Sequence, residues 1–92
     1  MATYCVKANE WSETIRWGFR DRVFTVADQV ENYEEAVALA KSYVIFFVEG
    51  EVDMTGKRPD MFEINNHHFG ASRKTPEEAY GLRAWVEEEW IF

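Results

Sequence analysis

The stretch TPEEAYGLRAWVEEEW, Thr75–Trp90, decides how the chain is read. Thr75-Pro76-Glu77-Glu78 places a capping hydroxyl, a proline at a first helical position and two carboxylates in a first turn. Ala79, Leu82, Val86 and Trp90 then recur at a spacing that draws one apolar stripe along a helix. The spacing predicts a helix, in which Gly81 costs about 1 kcal/mol relative to alanine and leaves room for close packing. Glu87-Glu88-Glu89 fit that reading badly. Negative charge near a helix C-terminus is unfavourable, so three acids there point to a use other than helix stability.

Working back from this stretch, Met61 to Asn65 alternates and reads as a strand with Phe62 and Ile64 inward. Asn65-Asn66 begins a turn, and His68 to Ser72 is a short return strand. Glu51 to Asp60, with Gly56 and Pro59, reads as a loop. Before it lies a helix with a clear start. Asn32 caps it, Glu35 sits at the capping-box position, and Ala36, Val37, Ala40, Val44 and Phe47 follow at helical spacing. Gly50 is its expected stop. Tyr43 to Val48 is apolar on all sides, which implies burial on several sides or docking on another surface.

Three strands are expected ahead of that helix, at Ala2 to Ala8, Thr14 to Phe19 and Arg22 to Val26. Asn9 to Ser12 reads as a polar connection and Arg20-Asp21 as a hairpin turn. Tyr4, Val6 and Ala8 share one face, as do Ile15, Trp17 and Phe19. The expectation is an α+β domain in the order βββαβ(β)α, a small antiparallel sheet of four to five strands with two helices on one face.

The 92 residues suffice for one domain, 1–92. Hydrophobic residues make up 47% and aromatics 16%, which excludes a disordered chain. The one cysteine, Cys5, lies in an apolar strand and forms no internal disulfide, so it reads as a buried thiol. The longest apolar run, Tyr43 to Val48, is far short of the ~20 residues that span a bilayer. With no basic and apolar leader at the N-terminus, the expected location is the cytoplasm.

No constellation carries chemistry. His67 and His68 are adjacent and would face opposite sides of a strand, so they do not share a metal. Ser12, Ser42 and Ser72 stand in no nucleophile motif, and the glycines form no phosphate loop. The expectation is a protein that is not an enzyme, with no metal, cofactor or small-molecule substrate.

Charge is more informative. The net charge is −7, which disfavours bare nucleic acid or an anionic membrane and favours a basic partner. Ala27 to Gly56 holds seven acids and one base, and Glu77 to Phe92 holds five acids and one base. Glu34, Glu35, Glu77 and Glu78 are explained by helix starts. Asp28, Glu31, Glu49, Glu51, Asp53, Glu87, Glu88 and Glu89 are not, and they are the candidate binding residues. Trp11 or Trp90 would add an aromatic anchor at the rim. Arg16, Trp17, Phe19, Arg20 and Arg22 form a basic, aromatic hairpin. Arg16, Arg20 and Arg22 are the one route to a minor direct contact with nucleic acid.

A chain under about 100 residues that is acidic, aromatic-rich, cysteine-poor and free of catalytic motifs resembles the small phage-encoded anti-CRISPR proteins. The resemblance is one of overall character, and no functional residue is carried over from it. It implies a stoichiometric inhibitor in the host-cell cytoplasm. Such a protein docks on a basic nucleic-acid-binding protein or ribonucleoprotein, such as a CRISPR-Cas complex, and blocks target DNA. The alternative is a structural subunit that forms a homo-oligomer through Tyr43 to Val48 or through Trp90-Ile91-Phe92.

Overall fold

Residues 78–90 form a strand, and that one change reorganises the expected architecture. A computed structural model describes residues 2–90. It contains β1 (Ala2–Thr14), β2 (Gly18–Val30), α1 (Tyr33–Thr55), β3 (Asp60–Asn65), β4 (His68–Lys74) and β5 (Glu78–Trp90). The strands make one antiparallel sheet in the order β2-β1-β5-β4-β3, and α1 crosses one face of it. The expected pair of helices is thus corrected to a single helix among the described residues.

The reason lies in two ambiguities. Thr75 Oγ1 does accept the Glu78 N–H at 3.1 Å, the bond a helix cap would make. The Thr75 N–H, however, donates to the Glu78 carbonyl at 2.7 Å and closes a two-residue turn at Pro76-Glu77. Steps of four, as in Leu82, Val86 and Trp90, fit a helix and also fit a strand of period two. Ala84 separates the cases, because Leu82, Ala84 and Val86 are all buried on one face. Glu87-Glu88-Glu89 cease to be anomalous, since a strand has no large macrodipole for them to oppose.

The three expected N-terminal strands are two long ones. Asn9 to Ser12 continues β1, Arg20-Asp21 lies inside β2, and the chain reverses at residues 15–17. Trp17 N–H donates to Thr14 Oγ1 at 2.9 Å, and Gly18 takes the left-handed conformation (φ 72°) that a three-residue hairpin needs. A bulge opposite Tyr4 and Val6 follows in β2, where Gln29 has φ 53°.

The helix start is as expected: Asn32 Oδ1 accepts the Glu35 N–H at 3.0 Å. Its end is not. α1 runs through Gly50 and half of the expected loop, stopping at Gly56 with φ 73°. Ala36, Ala40, Val44 and Val48 form its buried stripe over Val6, Ala8, Phe69, Ala71, Leu82 and Ala84. The many alanines let helix and sheet approach closely. Val6, Val44 and Val48 are fully buried and contribute about 1.5–3 kcal/mol each. β3 and β4 match the expected hairpin, but Phe62 and Ile64 face away from α1.

Gly81 gives the strand a decisive test. A Cβ built there would stand 2.7 Å from the Ala71 carbonyl oxygen and 2.8 Å from the Trp11 ring. Gly81→Ala is therefore expected to destabilise the protein by about 1–3 kcal/mol in urea unfolding. On a helix the same change would stabilise it by about 1 kcal/mol.

Candidate functional site

Strand register gathers five of the eight candidate acids at one end of the molecule. Glu87, Glu88 and Glu89 stand opposite Cys5, Tyr4 and Thr3 of β1. On the other side of β1, Tyr4 pairs with Val30, so Asp28 and Glu31 flank the same level. Tyr33 packs edge-on against Tyr4 with ring centroids 5.4 Å apart, which brings Glu34 and Glu35 of the helix start there as well. Two strand spacings, about 10 Å, separate β2 from β5. Seven carboxylates thus occupy one end. Lys7 reaches Glu87 at 3.3 Å, and Trp85 Nε1–H donates to the same carboxylate at 3.1 Å. Alternation turns Glu87 and Glu89 to the helix-free face of the sheet and Glu88 to the helix side.

Glu49, Glu51 and Asp53 do not join them. At 1.5 Å per residue, Glu49 lies about 24 Å along α1 from Tyr33, more than twice the screening length of about 8–10 Å. Glu49 faces Arg58 at 3.8 Å, and Glu51 accepts the Tyr80 hydroxyl at 3.0 Å. The last turn of α1 holds no basic residue to balance these acids. The eight candidates therefore form one group of five and one of three.

The basic hairpin projects beyond the helix. Trp17 and Phe19, which pack as core if they face the helices, are instead 62% and 61% exposed. The Arg16 and Arg20 guanidinium groups lie 5.0 and 5.7 Å from the centre of the Trp17 ring. Arg22 pairs with Glu10 at 3.3 Å and covers Phe24. Trp90 is also 62% exposed, whereas Trp11 is partly covered and lies across Gly81.

The feature that sequence reasoning missed is the helix-free face itself. Trp11 lies over Gly81 and Phe62 over Gly70, the cross-strand partner of each. Between them Arg83 Nη2 donates to Asn9 Oδ1 at 3.3 Å, while Asn9 Nδ2 contacts Asp21 at 3.5 Å and the Arg22 carbonyl at 3.3 Å. Glycines inside strand patterns mark such close approaches, but Gly81 carries that meaning only once residues 78–90 are read as a strand. His68 stands beside Trp85 on this face, ring centroids 5.3 Å apart. Cys5 is buried among Lys7, Glu87 and Glu89. Burial and those carboxylates push its thiol pKa up, which is the environment of an inert cysteine.

Among the described residues, no group of three or more His, Cys, Asp and Glu side chains is placed to hold a metal ion, and no helix is long and apolar enough to cross a membrane. Ile91 and Phe92, part of the apolar C-terminus read from sequence, lie outside the described residues. Burial, with Arg83 and His67 nearby, lowers the His68 pKa from 6.5. The unfolded chain therefore binds the proton more readily. The stability this gives is full above pH 6.5 and is lost as pH falls through the folded value. NMR titration is expected to show a His68 midpoint below 6.5, and His68→Gln is expected to flatten the fall of stability on acidification. Comparison of the chain with protein-family models, with curated proteins and with solved structures finds no match.

Proposed function

We propose that this chain is a non-enzymatic binding protein whose acidic end docks on a basic, nucleic-acid-binding surface. The observation that supports this reading is the convergence of Asp28, Glu31, Glu87, Glu88 and Glu89, with Glu34 and Glu35, through the pairing of β1 with β2 and β5. A dense set of carboxylates steers association with a basic groove and competes there with phosphates. The specific form of the proposal is a phage anti-CRISPR inhibitor that acts in the host cytoplasm and blocks target DNA binding by a CRISPR-Cas complex. Arg16 and Arg20, at the exposed hairpin, add a secondary contact to the nucleic acid of a ribonucleoprotein partner. Glu49, Glu51 and Asp53 belong to a separate contact or to none.

A second reading, an assembly subunit, rests on the outer side of α1. Of the apolar run Tyr43 to Val48, Val44 and Val48 are core, but Phe46 is 77% exposed and Ile45 40% exposed. Self-association through these side chains would bury them.

The test is capture from bacterial lysate with the purified protein at low and high salt, repeated with duplex DNA as competitor. The expected outcome is a basic nucleic-acid-binding partner that is released by salt and by DNA. The combined variant Asp28→Asn, Glu31→Gln, Glu88→Gln should weaken capture at least about tenfold, at about 0.5–1 kcal/mol per lost charge. Glu49→Gln with Asp53→Asn should leave it nearly unchanged. Recovery of the protein alone, as a salt-resistant oligomer disrupted by Phe46→Ser, would move the assignment to the assembly subunit.

A further inference from the structure

The helix-free face of the sheet holds a groove of about 420 Å3 that the acidic end does not explain. Small-molecule sites fall in the range of roughly 300–1,000 Å3. The strand order sets its layout. Phe19 of β2 and Trp11 of β1 stand on one side, Phe62 and Ile64 of β3 on the other, and Arg83 of the central strand lies between. Phe62 and Ile64 leave apolar surface open to water. Trp11 and Phe62 are held against the sheet by Gly81 and Gly70, so the space between them is low and wide.

Arg83 is the one cation lining this groove. Among the described residues its guanidinium forms no ion pair. Nη2 is held by the neutral Asn9 amide, and Nε is buried beyond a ligand's reach, so the guanidinium meets the groove through its Nη edge. A partly buried guanidinium without a counter-ion is short of an anion, and its planar Nη fork matches a carboxylate. Asp21 also lines the groove, steadied by Asn9. With one positive and one negative charge, the groove offers a chain of phosphates no net attraction, while Arg83 can meet a single negative charge.

We infer that this groove binds a carboxylate carried on a flat, apolar body. The carboxylate meets Arg83, and the apolar body lies between Trp11 and Phe62 with Phe19 and Ile64 at the rim. A free aryl carboxylic acid and the C-terminal aromatic residue of a peptide share this chemistry. The site is independent of the acidic end and stands whether or not that end binds a partner.

The test is an NMR titration of the purified protein with 2-naphthoate, with the neutral 2-naphthamide, and with N-acetyl-Gly-Gly-Phe bearing a free carboxylate. The Arg83 Nε–H and Trp11 Nε1–H resonances are expected to shift saturably with an acid. The amide should bind at least about tenfold more weakly, and so should 2-naphthoate with the Arg83→Gln variant. Tighter binding of the peptide assigns the source to a protein C-terminus, and tighter binding of naphthoate assigns it to a free acid. Preserved dispersion of the amide spectrum certifies the fold of the variant; should it unfold, the acid-versus-amide difference on the unaltered protein decides. Equal binding of acid and amide, shifts confined to Trp17 and its arginines, or no shift with any probe at 20-millimolar order (~20 mM, far weaker than ordinary ligand affinities) would overturn the inference.

Discussion

The structure depends on the pairing of β5 between β1 and β4. Thirteen consecutive residue pairs tie β5 to β1, from Glu78 opposite Thr14 to Trp90 opposite Ala2. Seven more tie it to β4. Without this strand, the β1–β2 and β3–β4 hairpins share no edge. Small residues along it serve both faces. Ala84 is fully buried in the core beneath α1, and Gly81 lets Trp11 lie flat on the other side. The helix is secondary to this arrangement. It covers one face through alanines and valines that would bury nothing without the sheet beneath them.

What the sequence made legible was local. The Asn32 cap, the buried stripe of α1 and the β3–β4 hairpin are each written in a short window, where hydrogen-bonding residues and spacing have one reading. The stretch 75–90 has two. Its cap-like threonine serves a turn as well as a helix, and its steps of four satisfy both periods. Two details favoured the strand: a helix would hold Gly81 in its interior and three acids at its C-terminus. The acids were legible as charges, but their convergence was not, because Asp28 and Glu88 meet only through the register on Tyr4. The groove was hidden for the same reason. Asn9, Arg83 and Phe62 become neighbours only when β5 and β4 lie flat between β1 and β3.

The molecule is electrically lopsided along its length. It measures 47 × 24 × 21 Å, several times the screening length of about 8–10 Å at physiological salt. The carboxylate end and the arginine–tryptophan hairpin therefore act as independent surfaces, not as one averaged charge of −7. The acids at the start of α1 also lie where the helix dipole welcomes them. Glu49, Glu51 and Asp53, nearer its end, do not share that benefit, and two of them are instead engaged by Arg58 and Tyr80.

The central position of β5 also governs the order of events in folding. The last of the described strands in sequence is the middle strand in space, so contacts such as Tyr4 with Glu88 join the first described strand to the last. Pairings at that separation carry a large loop-closure entropy and slow folding. On the ribosome, the β1–β2 hairpin emerges long before residues 78–90. Its inner edge stays open until β5 has been made. An open apolar edge of that length invites pairing with other chains. The nascent protein is thus most exposed to aggregation, and most dependent on chaperones, while its middle is still missing.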